Sequence, residues 1–311
     1  MVSLVGMSNS LAFLDLKNLS EKRIHKLFDL ALDFEKKDHL DMAKKAPAAL
    51  LFFEPSTRTR LSFEMACGRL GVSSVVLSGK SGTSLEKGET FEDTVLNVAA
   101  MKPSILIVRA DDTLPMRELA DKIKIPWINA GWGKKGHPTQ TLLDTLTIKK
   151  YRGQLAEERI LFVGDVRHSR VVSSHVELAK IMGYKMAFCG PEEFMYDKKS
   201  ELSQAGPVFS NLSEGLKWAT VVMALRVQLE RHENQIDNSQ YQKNWGLNRE
   251  NLKHLSANSL IMHPGPVNHG VEIESAVFQD PRCRILDQVT QGVFLRQALV
   301  HTLLYQPGDL Q

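Results

Sequence analysis

The sequence predicts an α/β protein: two doubly wound domains, each with a mostly parallel sheet flanked by helices, joined by interdomain helices. Three observations predict it. Short apolar runs alternate with amphipathic helical patterns along nearly the whole chain, which is how parallel strands joined by crossover helices read. The alternation stops at a helical stretch near residue 139 and restarts near residue 159. The 311 residues suffice for two domains of roughly 100–200 residues each.

The elements follow in order. Residues 20–44 read as a helix, because Ile24, Leu27, Phe28, Leu30, Ala31 and Phe34 recur at helical spacing. Residues 48–53 are an apolar run broken by Glu54-Pro55, a buried strand. Residues 56–70 turn helical and stop at Gly71, a suitable left-handed terminator. Strands are expected at 74–77, 105–108 and 127–130, the last two preceded by helices 90–101 and 115–122. A helix at 139–150 follows Pro138, a residue suited to a first helical position. The second series has strands at 159–163, 186–189, 220–224 and 260–262, with helices at 171–182 and 212–218. A last helix spans 288–304. The domain division is expected near Tyr151, and the last helix is compatible with either half.

Composition narrows the function classes. Hydrophobic residues at 43% and charged residues at 24% fit an ordinary globular protein. Lys+Arg 39 against Asp+Glu 36 gives a net charge of only +3, without a basic run, so no nucleic-acid partner is expected. Cys67, Cys189 and Cys283 are widely spaced and form no Cys-x-x-Cys pair, which argues against a disulfide framework or a thiolate metal site and for a reducing compartment. Residues 1–14 carry no basic leader, and no apolar stretch reaches the roughly 18 residues of a membrane span. A cytoplasmic protein with no metal, no cofactor and no membrane partner is expected.

Six polar loops after predicted strands carry the chemistry. The first is Ser56-Thr57-Arg58-Thr59-Arg60, where hydroxyls and guanidinium groups crowd a helix start. Free N–H groups and the helix dipole make such a terminus an anion site, with Ser56 able to cap the helix. The second, Ser84-Leu85-Glu86-Lys87-Gly88-Glu89-Thr90, is weak evidence alone and reads equally as a solvated loop. The third, His137-Pro138-Thr139-Gln140, puts a histidine and an amide on an opening turn beyond a strand, suited to donating to a carbonyl or to proton transfer. The fourth, 164–170, ends on Arg170, well placed for a carboxylate, with Arg167 a competitor. It lacks Gly-x-Gly-x-x-Gly, and Walker A is absent too, so no dinucleotide or P-loop site is supported. In the fifth, Arg226 and Gln228 lie two apart and share one face if extended, a carboxylate clamp, with Glu230 or Glu233 able to orient an arginine. The sixth, His263-Pro264-Gly265-Pro266, is a stiff loop with exposed carbonyls that is compatible with a cis proline. This set suits two anionic substrates and catalysis by positioning and electrostatics.

The motifs at 56–60, 87–90, 137–140, 226–228 and 263–266 occur in the order seen in transcarbamoylases, and the chain resembles the catalytic chains of that family's aspartate branch from about residue 11 to residue 304. The ornithine branch's Asp-x-x-x-Ser-Met-Gly and His-Cys-Leu-Pro segments are not matched. The resemblance implies a carbamoyl phosphate-binding domain at 1–150, completed by the C-terminal helix 288–311, and an aspartate-binding domain at 151–287. It implies that Ser56, Thr57, Arg58, Thr59 and Arg109 hold the phosphate, Arg109 being expected just after its strand. His137, Arg58 and Thr59 would polarise the carbamoyl carbonyl, while Gln140 and backbone carbonyls around Gly265 and Pro266 would hold its NH2 group. Lys87, Arg170, Arg226 and Gln228 would grip aspartate. Ser84 and Lys87 would reach a neighbouring subunit's active site in a homotrimer, with larger assemblies carrying regulatory or dihydroorotase chains left open. Arg58, His137, Lys87 and Thr59 would be the catalytic groups. His269 stands where many relatives have arginine, which questions the stiffness of the sixth loop. The readings set against this one are a transcarbamoylase with another amine acceptor and a non-catalytic scaffold.

Overall fold

The computed structural model describes residues 11–37, 45–196, 201–227 and 237–310. The chain divides into two compact units, Met1–Thr139 with Gly292–Gln311, and Gln140–Gln291. It passes from one unit to the other inside two helices, α5 (Pro138–Arg152) and α9 (Ile285–Tyr305).

The first unit is built on β2 (Ala48–Phe52), whose Ala-Ala-Leu-Leu-Phe sequence is buried at every position. A continuous apolar run suits a parallel strand covered on both faces. The sheet runs β1 (Ala12–Phe13), β5 (Trp127–Trp132), β4 (Ile105–Ala110), β2, β3 (Ser74–Ser78), parallel throughout. Its helices are α1 (Glu21–Lys36), α2 (Thr57–Arg69), α3 (Phe91–Ala100), α4 (Met116–Lys122), the start of α5 and the end of α9. Ala49 and Leu51 of β2 and Leu106 and Val108 of β4 share one face by the strand's two-residue period, and pack with Leu114, Met116 and Leu119 into one core. β2 lies between β3 and β4, so the winding reverses at the β2–β4 pair and opens a crevice at its carboxyl end.

The second unit repeats the plan with β10 (Leu260–Met262), β9 (Val221–Ala224), β6 (Arg159–Val163), β7 (Lys185–Cys189) and β8 (Val208–Phe209), again all parallel. Its further helices are α6 (Arg170–Met182), α7 (Leu212–Trp218) and α8 (Asn238–Trp245). Leu161, Val163, Ala187, Cys189, Val222 and Ala224 form the core with Leu212, Leu216 and Ile261. Here the reversal falls at the β6–β9 pair.

Several elements differ from expectation. Helix α1 ends at Lys36, and residues 38–44 lie outside the described part. β1 and β8 have two residues each, too few for a periodic signal. Helix α8 is mostly polar and buries Tyr241 alone; Asp237 starts it by accepting from Ser239 and Gln240 N–H groups. The three cysteines are unpaired, and burial pushes the thiols of Cys67 and Cys189 up to about 12. Among the described residues no helix is long and apolar enough to cross a membrane, and no His/Cys/Asp/Glu group could hold a metal ion.

One packed histidine gives a testable pH dependence. His301 on α9 meets Phe34 edge-on at 5.5 Å, and burial lowers its pKa below the ordinary 6.5. The unfolded chain therefore binds more protons than the folded one as pH falls through about 6.5, and stability falls with it. Urea unfolding should show a lower midpoint at about pH 5.5 than at about pH 7.5, with a flatter pH dependence in His301→Phe.

Candidate active site

In the first unit the polar groups collect where β2 and β4 end. The Phe53 N–H donates to the Arg109 carbonyl at 2.9 Å, and the Gly79 N–H to the Phe52 carbonyl at 2.9 Å, finishing the sheet. After the Glu54-Pro55 turn, α2 starts at Thr57 with Ser56 at its N-cap. Ser56 does not cap with its side chain, contrary to expectation. The residues that do cap helices here have φ between −132° and −69°. Ser56 sits at φ −163° and makes no side-chain bond to the first turn, which leaves the first-turn N–H groups to an external acceptor. Thr57 and Arg58 are exposed and Thr59 is buried. Arg60 is engaged by Glu64 at 3.3 Å, an i,i+4 pair. Partial desolvation lowers the Arg58 pKa, yet a guanidinium stays a cation at any working pH.

Arg109 lies inside β4 rather than after it, in register with Phe52. Backbone pairing continues past the charged side chain, because the ladder is made by main-chain groups. Its Nε lies 3.6 Å from Glu54 Oε2, a partner the sequence reading did not assign. Gly131 of β5, at φ +127°, makes room for it: a Cβ there would sit 3.0 Å from Arg109 Nη1. His137 is buried just before α5. Arg296 of α9 ties this region together, donating to Ser62 Oγ at 2.8 Å and Thr139 Oγ1 at 3.5 Å, with Phe63 under its guanidinium. Ser84 and Lys87 are exposed on the 3-10 turn Ser84–Lys87, whose buried Leu85 packs in the same core as Phe53.

In the second unit the cations follow β6 and β9. Gly164, at φ +119°, ends β6, and a Cβ there would meet the Leu225 carbonyl at 2.9 Å, so glycine allows the two strand ends to approach. Asp165 is buried and accepts from the His168 backbone at 3.2 Å, with His168 Nδ1 at 2.9 Å. This fixes the turn into α6, which Ser169 caps and half-buried Arg170 opens. Arg167 is exposed. The Leu225 N–H donates to the Val163 carbonyl at 2.8 Å, and half-buried Arg226 follows directly. Arg170 and Arg226 thus leave the two strands at which this sheet reverses. Gln228, Glu230 and Glu233 lie outside the described residues.

Other groups of the same unit are held firmly. Gln140, on the first turn of α5, is buried and donates Nε2 to Asp144 Oδ1 at 2.8 Å. The 263–270 loop, whose Gly265–Pro266 bond is cis, is fastened at several points. The Asn268 N–H donates to Glu272 Oε1 at 2.6 Å and its Nδ2 to the Val227 carbonyl at 3.1 Å. His263 Nε2 lies 3.3 Å from Glu272 Oε1. His269 Nδ1 is 3.3 Å from Ser275 Oγ, and its ring lies 5.2 Å from that of Phe278. Besides His269, the loop is tied down by Asn268, His263 and buried Glu272. Chemically, the first unit offers donors and cations to a phosphate or an oxyanion, and the second offers two guanidinium groups to carboxylates.

Comparison with known proteins adds three findings. Residues 12–150 match the family described as aspartate/ornithine carbamoyltransferase, carbamoyl-P binding domain, and residues 156–303 match its Asp/Orn binding domain. The chain is 40% identical over 298 residues to the aspartate carbamoyltransferase catalytic subunit of Gemmatimonas aurantiaca, covering 93% of this chain and 92% of that one. Among solved structures it is similar to the catalytic subunit of M. jannaschii aspartate transcarbamoylase (TM-score 0.84, 29% identity, 94% of this chain and 97% of that one). It is also similar to the ornithine carbamoyltransferase of Thermus thermophilus (TM-score 0.82, 27% identity, 94% and 99%).

Proposed function

The chain belongs to the aspartate/ornithine carbamoyltransferase family, and we propose that it transfers the carbamoyl group of carbamoyl phosphate to the α-amine of L-aspartate. The products are N-carbamoyl-L-aspartate and phosphate, an early step of de novo pyrimidine biosynthesis. The fold is shared with an ornithine enzyme, so the acceptor is argued from side chains. The observation that carries it is the pair Arg170 and Arg226 at the reversal point of the second sheet. Two cations suit a dicarboxylate and repel the second amine of ornithine.

The roles are those that the family resemblance implies. The first-turn N–H groups of α2, with Ser56, Thr57, Arg58, Thr59 and Arg109, take the phosphate. His137, Arg58 and Thr59 polarise the carbonyl. Gln140 and the carbonyls of Gly265 and Pro266 hold the NH2 group. Arg170, Arg226 and Gln228 take the aspartate carboxylates, joined by Lys87. The neutral amine attacks the carbonyl carbon, the carbon–oxygen bond to phosphate breaks, and the departing phosphate carries off the amine proton. Arg58, His137 and Lys87 stabilise the charge that develops. The test is carbamoylation of L-aspartate by the purified protein beside L-ornithine. Turnover with aspartate alone is expected, and turnover with ornithine alone would overturn the assignment of Arg170 and Arg226.

The exposed turn of Ser84 and Lys87 is explained by a homotrimer in which it completes a neighbour's site. Exposed apolar residues on the same unit support this: Leu61 and Met65 lie on α2, Val75 and Val76 on the edge strand β3, and Leu96 and Met101 on or beside α3. Exposed apolar residues along a sheet edge mark a surface that another chain covers. Arg58→Ala and Lys87→Ala proteins, each nearly inactive, should regain activity when dissociated and reassembled together. Sites that combine Arg58 of one chain with Lys87 of the other are then intact. Verified mixed trimers without activity would sink the shared site. A cytoplasmic location completes the proposal.

A further inference from the structure

Asp144 is a fully buried carboxylate on α5 to which the roles above give no task. Its Oδ1 accepts from Gln140 Nε2 at 2.8 Å and from Gln288 Nε2 at 2.7 Å. Its Oδ2 lies 3.4 Å from His175 Nε2, and His175 Nδ1 is 2.9 Å from the Tyr184 hydroxyl. Every member of this group belongs to the second unit, and every one is buried.

A primary amide has two faces, and a half-turn exchanges its acceptor for its donor at constant shape. An ionised carboxylate can only accept. With Nε2 turned to Asp144 by one of its two N–H groups, Gln140 has its carbonyl oxygen on the side away from the carboxylate, where a ligand can donate to it. The reverse orientation would set that oxygen against the carboxylate. Gln288 is oriented in the same way, and its Oε1 accepts the His263 N–H at 2.9 Å. The Gly265 N–H donates to His263 Nδ1 at 2.7 Å. Pro264 and Pro266 have no N–H at all. Segment 263–266 therefore has every backbone N–H accounted for, and its main chain presents only acceptors.

We infer that Asp144 is a positioning residue that sets specificity for the acyl donor: by accepting from Gln140 and Gln288 it fixes Gln140, directly, and segment 263–266, through Gln288, as hydrogen-bond acceptors. Acceptors reward the carbamoyl NH2 group and reject an isosteric acetyl CH3 group. The inference rests on the reading of Gln140, Gly265 and Pro266 as the carbamoyl-holding groups.

The experiment measures, on the intact protein, the ratio of dissociation constants for acetyl phosphate and carbamoyl phosphate by calorimetry. Wild-type turnover on aspartate is recorded in parallel. Asp144→Leu keeps the volume and removes the acceptor, so the ratio should fall by about tenfold, the scale of one hydrogen bond lost. Asp144→Asn keeps one acceptor oxygen and should hold the ratio within about threefold. Asp144→Ser, which withdraws the oxygen from both amides, is expected to behave like Asp144→Leu and covers the case in which the latter does not fold. An active wild type with an unchanged ratio in folded Asp144→Leu or Asp144→Ser overturns the inference alone. A wild type that binds no carbamoyl phosphate overturns the functional reading and the inference together.

Discussion

Replacing Arg58 with alanine is expected to lower kcat by about a hundred- to a thousandfold, the loss typical of one donor aimed at developing charge. The affinity for carbamoyl phosphate should change much less. The structure supplies the reason for the split. On the proposed assignment, the N–H groups of the α2 first turn, the neighbouring hydroxyls and Arg109 would still hold a ground-state phosphate. Arg60, two residues on, is paired with Glu64. What the variant lacks is a cation whose value grows as charge builds on the carbonyl and bridging oxygens. Steady-state kinetics with each substrate in turn separates the two effects. A weaker affinity with turnover intact would show that Arg58 only binds.

Arg226→Ala is expected to act on the other substrate. Loss of one charge-assisted contact of about 1.5–3 kcal/mol should raise the KM for aspartate by roughly ten- to a hundredfold. Kinetics in carbamoyl phosphate should stay near wild type. Arg226 follows β9 in the second unit, whereas Arg58 belongs to the first. Succinate, which keeps both carboxylates and lacks the amine, should lose competitive inhibition by the same factor. If the KM for carbamoyl phosphate rose instead, the carboxylate clamp would be misassigned.

The fold was legible because its strands are loud. Apolar runs such as 159–163 and 260–262 fill both faces of a parallel sheet and leave no alternative. What the sequence withholds is strand order. Nothing in the residues says that β2 neighbours β4, or that β6 neighbours β9, and in doubly wound sheets such reversal points are where ligands bind. The candidate residues stand out by local chemistry at strand ends, and Arg109 is read one step out of place because its charge masks a main-chain ladder. Asp144 was missed although it stands four residues after Gln140, within helical reach. The spacing to Gln140 is a signal, but the second partner, Gln288, is 144 residues away. Gly131 is silent for a similar reason, since its importance is the space that Arg109 fills.

The uncapped start of α2 also bears on the folding equilibrium of this segment. A helix without a side-chain cap typically forfeits about 1 kcal/mol and frays from that end. An anion that accepts from the first-turn N–H groups supplies the missing cap, and binding then adds to the stability of the native state by mass action. Occupancy and local order at residues 56–60 become two readings of a single coupled equilibrium. The residue that would make this turn self-sufficient is thereby the residue that would make it a poorer receptor.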